Sequence, residues 1–239
     1  MYGYGGFAPY VSVAEKKEKA RRMLVKLKKK DPNLWPVAIE GTKIAKTWWG
    51  ISWNKNLESY ADYANRIGRG RSYARNGMIL DLKILQGEVE ALVHGSASKP
   101  YTIKIAVDLL PTAKQDAIIT RCAQQIDSLV DLAAGKFPKE LEAIFTEQDK
   151  GLFPNPKEIN FDCSCLDWAS MCKHVASVLY GIGARLDEDP LLFFKLRGVE
   201  VEALIKKSVE AKMNSMLENA NQKTSRVLAD DEIDDLFGL

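Results

Sequence analysis

Cys163-x-Cys165, six residues, then Cys172-x-His174 gathers three of the chain's four cysteines and one of its two histidines within twelve residues. In an extended segment, side chains two apart point the same way, so Cys163 and Cys165 can aim both sulfurs at one point. The intervening LDWASM is long enough to turn the chain back. Cys172 and His174 then enter at the start of an expected helix, where unpaired backbone N–H groups favour a thiolate. Three thiolates and one imidazole complete a tetrahedron around zinc, with sulfur about 2.3 Å from the metal. Such a site keeps one net negative charge, which Lys173, between two ligands, is placed to offset. A disulfide would leave one cysteine of the trio over, and an inert buried cluster would leave the histidine to chance. An iron–sulfur centre normally takes four cysteines. A catalytic zinc needs an open position and a nearby base, and the H-x-E of zinc deaminases is absent. The donor set and spacing favour a closed structural zinc over these alternatives.

The rest of the composition is that of an ordinary globular protein: 239 residues, 46% hydrophobic and 28% charged. No apolar run approaches the length of a membrane span, and the N-terminal MYGYGGFAPYVSVAEKK lacks the pattern of a secretory signal. The expected location is therefore cytoplasmic, where clustered cysteines more often bind metal than pair. Charge is unevenly spread. Residues 1–75 hold sixteen Lys/Arg against six Asp/Glu, and the remainder eighteen against twenty-six, together giving the net +2. That asymmetry points to an anionic partner on one side of the molecule.

The elements that must position the ligands follow from periodicity. The expected class is α+β, a small antiparallel sheet with flanking helices plus a C-terminal zinc module. Residues 1–36 read as a basic arm and helix, 37–150 as the α+β domain, 151–200 as the metal module, and 201–239 as a C-terminal helix and acidic tail. Ser12 and Glu15 form a capping box before a helix that Asp31-Pro32 ends. A second helix is expected from Trp53 to Ala64. MILDLKILQ, EVEALVHGS and YTIKIAVDLL alternate apolar and polar residues and read as three strands, with Gly87 turning between the first two. Helical spacing follows over 113–133 and 138–146, then from Lys173 to Leu186, after Pro190, and from Glu200 to Asn219. Loss of metal is expected to melt residues 160–186 first and to leave the sheet standing.

The C-x-C, six residues, C-x-H arrangement followed by a helix resembles the SWIM zinc finger. Its flanks, GLFPNPKEINF and LDEDPLLFFKLRGV, and the N-terminal KTWWGISWNKNLESYADYANRIGRGRSYARNG are similar to a bacterial SWIM-containing family. The resemblance assigns the ligand roles to Cys163, Cys165, Cys172 and His174. It implies binding of DNA or of protein, and in bacteria an association with SNF2-type helicases or ATPases.

A second set of residues could do binding chemistry. RIGRGRSYARNG carries four arginines and three glycines in twelve residues and reads as a loop. Arg66, Arg69, Arg71 and Arg75, with Lys43 and Lys46 upstream, are candidates for phosphate contact. Tyr73 and the group Trp48, Trp49 and Trp53 could stack on bases, although large aromatics more often fill a core, and these tryptophans are read that way. Asp81-Leu-Lys83, with Glu58 and Asp62, superficially resembles the acidic strand of a metal-dependent nuclease. Alternation instead puts Asp81 and Lys83 on a solvent face, and no enzyme is expected. The function expected is that of a zinc-binding accessory protein of DNA transactions, with a pure protein adaptor as the alternative. In the tail, Ile233, Leu236 and Phe237 among five acids suggest a docking or self-masking segment.

Overall fold

A computed structural model describes residues 11–58, 64–122, 131 and 139–220. The tail from Asp230 to Leu239, residues 59–63 with Asp62, and most of 123–138 lie outside the described residues. The fold is α+β with one four-stranded antiparallel sheet in the order β1-β2-β3-β4. The strands are β1 (Ile79–Leu85), β2 (Glu88–Val93), β3 (Tyr101–Val107) and β4 (Ile159–Cys163). The sequence predicts only three of these. INFDC, the fourth, is only five residues long and holds a single β-branched residue, Ile159. It pairs with β3 through Val107–Ile159, Ile105–Phe161 and Ile103–Cys163.

The helices are α1 (Val13–Lys28), α2 (Trp48–Glu58), α3 (Ala64–Arg75), α4 (Thr112–Cys122), α5 (Glu142–Thr146), α6 (Lys173–Glu188), α7 (Leu191–Arg197) and α8 (Val201–Ala220). Ser12 caps α1, its hydroxyl accepting from the Glu15 N–H at 3.2 Å. Of α1 only Ala20 is buried, in keeping with its thin apolar stripe.

One helix organises the rest. Every residue of α6 from His174 to Leu186 is buried. It lies on the inner face of the sheet, where Val89, Ala91 and Val93 of β2 and Ile103, Ile105 and Val107 of β3 are nearly inaccessible. The outer face carries Lys104 between Glu88 and Glu90 at 3.2 and 3.3 Å. Helices α2 and α3 cover the other side of α6. Trp53 is 1% exposed and donates from Nε1 to the Leu179 carbonyl at 2.8 Å, so it fills the core as read; Trp48 and Trp49 are half-buried.

Two expectations are corrected. The Arg/Gly stretch read as a loop is helix α3, because Gly70 and Ala74 face α6. A Cβ on Gly70 would lie 2.5 Å from the Ala176 Cβ and 2.9 Å from its carbonyl carbon, so glycine there permits backbone-close packing whose burial outweighs its poor helix propensity. Asp81, read as solvent-facing, is 6% exposed. Residues 35–37 run along the open edge of β1, with Leu82 N–H donating to Trp35 O, and Asp81 accepts the Trp35 N–H at 2.7 Å. That carboxylate is committed to the fold.

Candidate metal centre

Cys163 ends β4 on its inner face, two residues from Phe161 and opposite Ile103. Pairing with β3 continues one residue further, Ser164 N–H donating to Thr102 O at 3.1 Å and Thr102 N–H donating to Ser164 Oγ at 3.0 Å. Cys165 is thereby held on the same side as Cys163. The chain then turns through residues 166–171. Asp167 fixes the turn, accepting from Ala169 N–H at 3.4 Å and from Arg66 of α3 at 3.0 Å. Desolvation raises the Asp167 carboxyl, but the Ala169 N–H, Arg66 and Lys173 more than reverse this and leave it below its ordinary value.

Cys172 is the N-cap of α6, and its sulfur accepts the Val175 N–H at 3.4 Å. His174, one residue into the helix, is 1% exposed. Its Nδ1 lies 3.9 Å from both Cys163 Sγ and Cys172 Sγ. Its ring stacks on Tyr101 at 4.2 Å and meets Tyr73 edge-on at 5.6 Å, which fixes its orientation. All four ligand atoms lie within 4.8 Å of one another. A tetrahedral site with arms of about 2.3 Å has donor–donor edges of about 3.7 Å, so a metal ion would draw the set together only slightly. The residues present therefore fit a metal ion.

Thiol electrostatics agree with that fit. Without metal, a hydrogen bond from Cys163 holds the Cys172 thiol down to about 4 against burial, with His174 and the Val175 N–H adding to the effect. Cys163 is pushed up by the same hydrogen bond and then by burial, and burial pushes Cys165 up. Cys172, at the helix N-terminus, is thus the most readily ionised of the three thiols, and a metal ion would have to displace protons from the other two. Cys122 lies apart, buried between α4 and its neighbours, with its thiol pushed up to about 12 by burial, as befits a small core residue.

The predicted phosphate contacts divide among three places. Lys43, Lys46, Arg71 and Arg75 line one open cavity of about 900 Å³, together with Lys55 and Tyr180. Among the described residues that line it, Glu40 and Glu58 are the acids that oppose these five cations. Glu58 accepts from both Arg71 and the Tyr180 hydroxyl at 2.5 Å, which steadies Arg71 in the wall. The Lys46 wall is held by Asp187 of α6, which accepts the Lys46 N–H at 2.6 Å and the Thr47 N–H at 3.2 Å. Arg66 lies instead at the metal loop, paired with Asp167. Arg69 is exposed on α3. The sequence does not single out Lys55 and Tyr180 for this site, since they become neighbours of the arginines only through the packing of α2 and α6. Of the nuclease-like acids, Glu58 faces this cavity and Asp81 lies at the edge of the sheet, so the two do not converge on one metal position.

Comparison with known proteins adds a relative but no activity. No family model matches the chain, and no solved structure matches it. Over 163 residues, 68% of this chain, it is 36% identical to the uncharacterized protein Rv2102 of Mycobacterium tuberculosis (strain ATCC 25618 / H37Rv). The match covers 58% of that protein, so the chain spans little more than half of this relative's length. Among the described residues, no helix is long and apolar enough to cross a membrane.

Proposed function

We propose that Cys163, Cys165, Cys172 and His174 hold a structural zinc ion in a SWIM-type module, and that the protein is a non-enzymatic accessory factor that binds DNA. Three thiolates and one imidazole are a soft, closed donor set that suits tetrahedral zinc and leaves no open position for a substrate. The nucleic-acid reading is supported by one observation: Lys43, Lys46, Lys55, Arg71 and Arg75, drawn from three separate segments, surround one cavity with two opposing carboxylates. Such a cluster attracts a polyanion and releases its counterions on binding. An SNF2-type ATPase as protein partner follows from the resemblance of the metal module. Replacing Lys43, Lys46 and Arg75 together with Gln should flatten the salt dependence of DNA binding by about three, one for each lost phosphate contact. An unchanged slope would favour a protein adaptor that does not touch DNA.

A further inference from the structure

Six residues separate the two ligand pairs, and two of them are large and apolar. Leu166 is 103% exposed and Trp168 is 80% exposed, more than any other large hydrophobic residue described. A loop clamped at both ends by metal ligands holds these side chains outward where a core has no room for them. Exposed apolar groups of this size mark a contact surface.

Helix α3 connects that surface to the basic cavity. At 100° per residue its sides can be assigned. Gly70 and Ala74 face α6 and are buried. On one flank Arg66 holds the metal loop through Asp167, and Tyr73 packs on His174. On the other flank Arg71 and Arg75 line the cavity. The outward ridge consists of exposed Gly68, Arg69 and Ser72, and a Cβ on Gly68 would meet nothing within 4 Å. This low ridge lets an extended chain cross close to the helix, with Arg69 beside its path. Arg66 and Arg75 are nine residues apart, roughly 14 Å of helix, a span that an extended strand bridges easily.

We propose that Trp168 is a base-stacking platform and that the protein prefers single-stranded to duplex nucleic acid. This rests on the nucleic-acid reading of the cavity. Phosphates sit among the cations, the strand crosses the ridge, and an unpaired base lies on the indole. A duplex offers no free base face there, whereas every base of a single strand has one. The cations on the same helix favour this occupant over an apolar protein groove.

The test is fluorescence anisotropy of a labelled oligo-dT and of a duplex of equal length with the full-length, zinc-loaded chain. Zinc content and thermal melting of each variant establish that it is folded. Trp168→Ala should weaken single-strand binding between about fivefold and about 150-fold, the range of one lost stacking contact. Trp168→Phe should keep most of the affinity, and duplex binding should change by about twofold or less. Equal loss for both substrates, or equal loss in the Phe and Ala variants, overturns the stacking role. If Trp168→Ala changes nothing while the Lys43/Lys46/Arg75 variant still flattens the salt slope, the stacking proposal fails and the nucleic-acid reading stands. If the wild-type chain binds neither substrate, both fail. Self-association that Trp168→Ala abolishes would also overturn the proposal and assign the loop to a second copy.

Discussion

On one flank of α3, Tyr73 packs against His174, and Arg66 fastens a loop whose four donor side chains come from the end of β4 and the start of α6. On the other flank, Arg71 and Arg75 look into a cavity with Lys43, Lys46 and Lys55. His174 and Cys172 are each 1% exposed, whereas Lys43, Lys46 and Arg75 are in water. The metal flank is built into the core, so its chemistry and the stability of the fold are linked. The cation flank hangs from exposed positions, so its charge can change while the fold stays. Changes on the first flank should therefore register in stability, and changes on the second in affinity.

The comparison breaks most severely at Cys172. Cys172→Ser removes a proposed metal ligand and the sulfur cap of a helix that is buried from His174 to Leu186, and should cost about 4 kcal/mol or more in denaturant unfolding. Because α6 packs on β1, β3 and β4 and is itself covered by α3, chelation should loosen helix and sheet together. That revises the expectation that residues 160–186 melt first and leave the sheet standing. Hydrogen exchange after chelation checks it, with amides of Lys173–Glu188 and of β1 expected to lose protection in step.

A smaller effect is expected where the two flanks meet. Gly70→Ala would push a methyl into Ala176 of α6 and should destabilise by about 1–3 kcal/mol, the usual cost of overpacking. Since α3 carries both flanks, its shift should lower DNA affinity as well as metal retention. Preserved stability together with lost affinity would mean that the junction is looser than its geometry implies. The smallest stability effect belongs to the cavity. Replacing Lys43, Lys46 and Arg75 with Gln should leave stability within about 0.5 kcal/mol, as exposed charges do, while flattening the salt slope. A large fall in melting temperature would erase the distinction between the flanks.

The metal cluster was legible because its information is local. Three cysteines and a histidine within twelve residues need only an extended pair, a turn and a helix start to meet, and Cys172 caps α6 at the start of that helix. Long-range packing was not legible. The Gly/Arg stretch looks unlike a helix until α6 is placed beneath it, where Gly70 and Ala74 become contact residues. Asp81 alternates like a surface residue until residues 35–37 cover the edge of β1. The cavity was half legible: four of its five cations could be named from the sequence but Lys55 could not, and nothing local separates Arg71 and Arg75, which line it, from Arg66, which turns to the Cys/His loop. Trp168 was overlooked although its position between two ligand pairs marks it, because a tryptophan ordinarily predicts a core.

X-ray absorption at the zinc edge of the purified chain tests the metal site most directly. One zinc per chain is expected, with a first shell of three sulfurs at about 2.3 Å and one nitrogen at about 2.0–2.1 Å, losing one sulfur in Cys165→Ser. A metal-free chain, or a shell made only of oxygen and nitrogen, would contradict it.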